Sequence, residues 1–133
     1  GDYLDPEEAR PGMHSIDAST GKLLWSNVQS NVCFEEDEFC DPGISSAVTS
    51  IPGAVFAGHL DGFVRAYASG DGALLWEYDT RPERVGVNGI AGYGGSMSGA
   101  GPAIVAGHLV INSGYGLYNH EPGNLLMVFA VPE

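Results

Sequence analysis

A thirteen-residue unit occurs twice in this chain and constrains its fold more than any other feature. Residues 13–25 read MHSIDASTGKLLW and residues 64–76 read VRAYASGDGALLW, aligned without a gap at an offset of 51. Gly21/Gly72, Leu23/Leu74, Leu24/Leu75 and Trp25/Trp76 are identical, whereas Ala68 and Asp71 stand where the first copy has Asp17 and Thr20. Each copy reads as an alternating strand, a tight turn (Ser19-Thr20-Gly21 or Gly70-Asp71-Gly72) and a second strand carrying Leu-Leu-Trp. The turn glycine supplies the positive φ that such a hairpin needs. The tryptophan returns at one phase and is large enough to fill the space between adjacent sheets. One unit cannot bury its apolar face alone, so the copies are expected to stack.

Neighbouring segments extend the pattern. Residues 53–62 read as a strand and turn leading into Phe63-Val64-Arg65-Ala66-Tyr67, and residues 107–114 as an equivalent strand. The latter reaches the apolar run at 124–130 only after a long turn, 115–123, which the opening stretch 1–12 resembles. With the four strands of a sheet lettered A to D, residues 12–27 give C and D, 45–79 give all four, and 100–131 give A, B and C. The expectation is an all-β, incomplete β-propeller of about two and a half four-stranded blades, with residues 1–133 as part of one domain. Two open ends would leave apolar faces and strand edges bare. The remainder of the propeller, or other chains, is therefore expected to complete the ring. Stopping after strand C fits the C-terminal portion of a longer propeller, closed by a strand D from a distant N-terminus.

Composition agrees with short strands and many turns. Glycine contributes 20 of 133 residues, about twice its usual share, and no stretch sustains the apolar spacing of a helix. Five basic residues face 17 acidic ones, a formal charge of −12, which argues against nucleic acid and anionic membrane surfaces as partners. No apolar run approaches the roughly 20 residues of a membrane-spanning helix. Cys33 and Cys40 flank the acidic run FEEDEF, and no further Cys or His lies close enough to complete a zinc site. The favoured reading is a small disulfide loop stapling an acidic excursion, which implies the periplasm or the exterior; two free thiols in a reducing compartment are the alternative.

The stretch IDASTGKLLW at 16–25 resembles the tryptophan-docking repeat of pyrroloquinoline-quinone (PQQ) type β-propellers. Within them, VFAGHLDG at 55–62, RAY at 65–67, LWEYDT at 75–80, VNG at 87–89, GGSM at 94–97, NSGYG at 112–116 and PGN at 122–124 are similar to the polyvinyl-alcohol dehydrogenase-like branch. The resemblance implies quinoproteins that oxidise alcohols, with PQQ and a Ca²⁺ ion on the propeller axis and a carboxylate taking the hydroxyl proton. Electrons would leave through a c-type haem, whose C-x-x-C-H motif this chain lacks. Nor does it hold the adjacent cysteines of the vicinal disulfide found in some relatives. No motif places the catalytic carboxylate here, so this segment alone is expected to be inactive.

Propeller connectivity would collect the long connections, 26–43, 81–98, 1–12 and 115–123, on one face, where loops build sites. Glycines 89, 92, 94, 95, 99 and 101 would let backbone approach a flat ligand or serve as a flexible link. Asn88, Ser96 and Met97 are the candidates to line that funnel. Arg65 lies among apolar residues and is read either as paired to a buried carboxylate or as aimed at the carboxylates of PQQ. His59 and His108 read as packed core histidines, Asp61 as bonding its own turn, and Glu35, Glu36, Asp37 and Glu38 as a solvated tip rather than a Ca²⁺ loop. Two functions emerge: part of a PQQ-dependent dehydrogenase of secondary or polymeric alcohols, or a non-catalytic propeller serving as a structural or protein-binding scaffold. A hydrolase lacks any nucleophile–base pair in recognisable context.

Overall fold

Alternating side chains and glycine turns place eleven strands along residues 8–116 and 118–132, the residues described by the computed structural model. Strands β1 (Gly12–Ile16) and β2 (Leu23–Val28) form a hairpin sheet. Strands β3 (Thr49–Ile51), β4 (Ala54–Gly58), β5 (Phe63–Ala68) and β6 (Leu74–Asp79) follow one another in a four-stranded sheet. A small hairpin, β7 (Arg84–Val85) and β8 (Ala91–Gly92), precedes a three-stranded sheet of β9 (Ala103–Val105), β10 (His108–Ser113) and β11 (Leu125–Ala130). All pairings are antiparallel. No helix forms among the described residues, so none crosses a membrane. The β7–β8 hairpin lies within 81–98, where the sequence predicts only a long connection, because two-residue strands carry no alternation. Most of the expected opening turn, 1–12, lies outside the described residues, as does Leu117 within 115–123.

The repeat is reproduced bond for bond. Asp17 N donates to Lys22 O (2.8 Å) and Gly21 N to Asp17 O (2.7 Å); 51 residues on, Ala68 N donates to Ala73 O (2.8 Å) and Gly72 N to Ala68 O (2.8 Å). Gly21 and Gly72 hold φ of 71° and 75°, the left-handed region that favours glycine. Register slips fall at matching places, Ser15/Ile16 and Ala66/Tyr67. Two of the differences between the copies change the hydrogen bonds of the turn. Asp17 Oδ1 accepts from Ser19 N (2.8 Å) and Thr20 N (3.1 Å), bonds that Ala68 cannot make. Asp71 in turn bonds Ala73 N (3.0 Å), as Thr20 Oγ1 bonds Lys22 N (3.3 Å) in the first copy.

Two apolar clusters stack the sheets. Met13, Ala57 and Tyr67, with Trp25, Ile44 and Val55, join the first sheet to the four-stranded one. Val64, Met97, Leu109 and Ile111, with Phe56, Tyr78, Met127 and Phe129, join that sheet to the third. Trp25 anchors the first junction: its Nε1 donates to Ser69 O (2.9 Å), its ring lies against Gly72, and Asn27 Nδ2 donates to Gly72 O (2.7 Å). Trp76 occupies the second junction in another way, edge-on to Phe129 at 5.1 Å. The outer faces stay bare, with Leu23 and Leu24 exposed on β2 and Leu126 and Val128 on β11.

The equivalent glycines should therefore differ in tolerance. At Gly21 an added Cβ meets nothing within 4 Å, but at Gly72 it would come to 2.4 Å from Trp25 Cε3. Gly21→Ala should cost only the left-handed backbone penalty, about 1–2 kcal/mol. Gly72→Ala adds the displacement of a packed tryptophan and should cost about 3 kcal/mol or more. Urea unfolding of both variants, with Trp25 fluorescence as a second probe, checks the difference.

Candidate functional site

Strand β5 is the central strand of its sheet and carries one cation, Arg65, 4% exposed. A charge there requires partners, and the fold supplies two. Asp61, in the β4–β5 turn, accepts Arg65 Nη1 (3.1 Å) and Nη2 (2.9 Å). Glu77, opposite Arg65 in the β5–β6 register, accepts Nε (3.1 Å). Burial alone would lower the Arg65 pKa; the bonds to Asp61 and Glu77 outweigh it and leave it raised. Of the two readings of Arg65, the structure contains the buried ion pair. Taking away one partner of such a pair costs about 3–5 kcal/mol, because the other charge is stranded.

The network continues through residues that the sequence did not single out. Gln29 Nε2 donates to Asp61 Oδ2, and Gln29 Oε1 accepts from Gly43 N (3.2 Å) and from His59 Nδ1 (2.6 Å). With Nδ1 the donor, His59 Nε2 is the acceptor, taken by the Tyr67 hydroxyl at 3.1 Å. Burial first, and the Arg65 charge second, bring the His59 pKa down to about 3, and burial pushes Tyr67 up to about 12. His59 is thus a neutral, fully bonded core residue. Tyr67 lies two residues after Arg65 on one strand, so period-two counting could have paired them. Gln29 gave no local signal, because its partners lie about thirty residues away.

The long connections converge beside this network. Glu121 N reaches Phe39 O (3.1 Å) and Ser96 Oγ (3.0 Å), and Ser96 N donates to Glu121 O (2.9 Å). Ser96 Oγ also bonds Leu60 O, and Met97 N donates to His59 O (3.0 Å). Met97 itself is buried in the second apolar cluster. Three glycines of the stretch 92–101, Gly94, Gly95 and Gly101, let backbone lie on backbone. A Cβ on Gly94 would come to 2.4 Å from Thr80 O, one on Gly95 to 2.3 Å from Glu121 O, and one on Gly101 to 2.1 Å from Ala47 O. Cys33 and Cys40 are disulfide-bonded, which closes the loop that presents Phe39 to Glu121. Glu35, Glu36 and Glu38 at its tip are exposed. The Glu121 carboxyl is raised by burial, with Arg81 opposing, and its Oε2 is buried without a hydrogen-bond partner.

Ser96 and Met97 thus adjoin the β4–β5 turn that carries Asp61, whereas Asn88 belongs to the β7–β8 turn, where its Oδ1 accepts from Ile90 N (3.1 Å). His108 is exposed and donates from Nδ1 to Ala106 O (2.8 Å). A tricarboxylate quinone with Ca²⁺ needs free cations and clustered oxygen ligands. Arg65 is committed to Asp61 and Glu77, Arg81 to Asp79 (2.9 Å), and Arg84 to the carbonyls of Asp79, Thr80 and Pro82. Among the described residues no three His, Cys, Asp or Glu side chains cluster to hold a metal. These residues do not by themselves fit the quinone and its metal.

His59 makes the fold acid-sensitive. Above its ordinary pKa of 6.5 it is neutral folded or unfolded; below that, the unfolded chain binds a proton that the folded one refuses until about pH 3. Stability should therefore fall as pH drops through that window, by about 3 kcal/mol between pH 7 and pH 4. Urea unfolding at the two pH values measures the loss. His59→Gln should remove that share, and an unchanged slope in the variant would refute the assignment.

No family model matches this chain. It is 34% identical to the polyvinylalcohol dehydrogenase of Sphingopyxis sp. (strain 113P3), over 94% of this chain and 21% of that protein. It is 36% identical to the polyvinylalcohol dehydrogenase of Pseudomonas sp., over 98% of this chain and 22% of that protein. Over 77% of its length it is 31% identical to 13% of the dehydrogenase subunit of alcohol dehydrogenase (quinone) of Gluconacetobacter polyoxogenes. The chain spans about a fifth of the length of the polyvinylalcohol dehydrogenases it matches. Along nearly its whole length, the chain belongs with a segment of the polyvinyl-alcohol dehydrogenase-like branch of quinone-type alcohol dehydrogenases.

Proposed function

We infer that this chain is a segment of a propeller quinoprotein that oxidises secondary or polymeric alcohols with PQQ and Ca²⁺. The observation that carries the reading is similarity over nearly the whole chain to two polyvinylalcohol dehydrogenases. The stacked sheets support it: strands at 12–28, 49–79 and 103–130 follow the C–D, A–D and A–C blade pattern. The quinone and metal are held by the rest of the protein. This segment contributes two sheet junctions and a set of loops in which Arg65 and Arg81 are ion-paired and Arg84 is capped by carbonyls. Its disulfide suits the periplasm or the exterior. By the same resemblance, a c-type cytochrome is the expected electron acceptor.

The test uses the full-length protein purified with Ca²⁺ and PQQ. Denaturing chromatography with mass detection should release about one PQQ per polypeptide, and a redox dye should be reduced on addition of 2-butanol or poly(vinyl alcohol). Chelation should strip the quinone and the activity together, with Ca²⁺ and PQQ restoring both. A correctly folded protein that holds no quinone after reconstitution would instead be a scaffold.

A further inference from the structure

The tip of the disulfide loop is bonded almost wholly to itself. Asp37 N donates to Phe34 O (3.0 Å), Cys40 N to Asp37 O (3.2 Å) and Phe34 N to Asp37 Oδ2 (3.2 Å). Among the described residues, one hydrogen bond joins 33–40 to another connection, from Glu121 N to Phe39 O. The base of the loop is fastened separately: Gly43 N donates to Gln29 Oε1 (3.2 Å) and Leu60 N to Gly43 O (2.9 Å). Glu121 leads onward, because its N also donates to Ser96 Oγ and its O accepts from Ser96 N.

The contact between tip and Glu121 is held against charge. Glu36, Asp37, Glu38 and Glu121 line one cavity of about 280 Å³ with Phe39 and Cys40, and no basic residue lines it. Glu121 Oε2 is buried there without a hydrogen-bond partner. Burial raises the Glu121 carboxyl, Arg81 opposes, and the Asp37 charge raises it further; Arg81 itself is paired with Asp79. Such a carboxyl would be better solvated with the acidic tip moved away. One backbone hydrogen bond is a weak restraint against that departure. The Cys33–Cys40 bond is a strong one, since it denies the tip its extended conformations.

We propose that the Cys33–Cys40 disulfide is a redox latch: closed, it pins the acidic tip on Glu121, and opened by a dithiol, it lets the tip leave and water reach Glu121. The step is thiol–disulfide exchange. The dithiol gives two electrons and two protons to the S–S bond, which breaks to two thiols, and closes to its own disulfide. Gln29, Gly43 and Leu60 keep the base in place, so the change is confined to the tip, Glu121 and its partner Ser96. The latch does not depend on the alcohol-oxidising reading.

Full-length oxidised protein would be followed by hydrogen–deuterium exchange with mass detection before and after dithiothreitol, beside its Cys33→Ser/Cys40→Ser variant. Iodoacetamide alkylation reports opening of the bond. Reduction should speed exchange in peptides over 34–40 and 118–123 about tenfold or more, and leave β5 and β6 unchanged. The reduced protein should match the variant, and re-oxidation should restore slow exchange. Asp37→Asn, which removes a like charge from the cavity, should shrink the acceleration at 118–123. Reduction acts on the folded protein, so it decides even where the variant does not fold. Cysteines that stay closed in dithiothreitol, unchanged exchange at 118–123, or acceleration spread equally over β5 and β6 would each overturn the latch. Full acceleration in reduced Asp37→Asn protein would overturn the part given to charge.

Discussion

The ion pair between Asp61 and Arg65 is the contact on which the other parts depend. Neither charge could stay in the interior alone, and together they fix the β4–β5 turn against the middle of the central strand. That turn carries His59 and Leu60, whose carbonyls receive Met97 and Ser96, and Asp61 also holds Gln29 at the start of the disulfide loop. Three connections far apart in sequence therefore share one anchor. Asp61, Arg65, Gln29, His59 and Tyr67 each have a partner, so they form a coupled network rather than a set of independent contacts.

Coupling of this kind suits a scaffold. Arg65, Arg81 and Arg84 are each neutralised or capped within the chain, and Gly94, Gly95 and Gly101 are consumed in close backbone packing. Little is left to reorganise around a cofactor. What remains open is the bare faces of β2 and β11.

Legibility in the sequence followed distance along the chain. The repeated hairpins were readable because a turn glycine, an alternating strand and a docking tryptophan all act within a few residues. The exchange of Thr20 for Asp71 was visible as a departure, and the shared hydrogen bond to the residue two positions on explains why the turn tolerates it. Gln29 and Glu121 were silent because their roles depend on partners distant in sequence. Glycine composition at 92–101 revealed only that something approaches the backbone closely. It could not reveal that the visitor is the chain's own backbone. Arg65 admitted two readings because composition does not weigh burial; the Glu77 register and the Asp61 turn supply the partners of the ion pair.

A structure of the full-length protein loaded with quinone tests most directly the claim that this segment frames the site without holding the cofactor. The account predicts that Arg65 stays on Asp61 and Glu77 and that neither it, Ser96 nor Met97 touches the quinone. An Arg65 guanidinium turned from Asp61 onto a quinone carboxylate would contradict it.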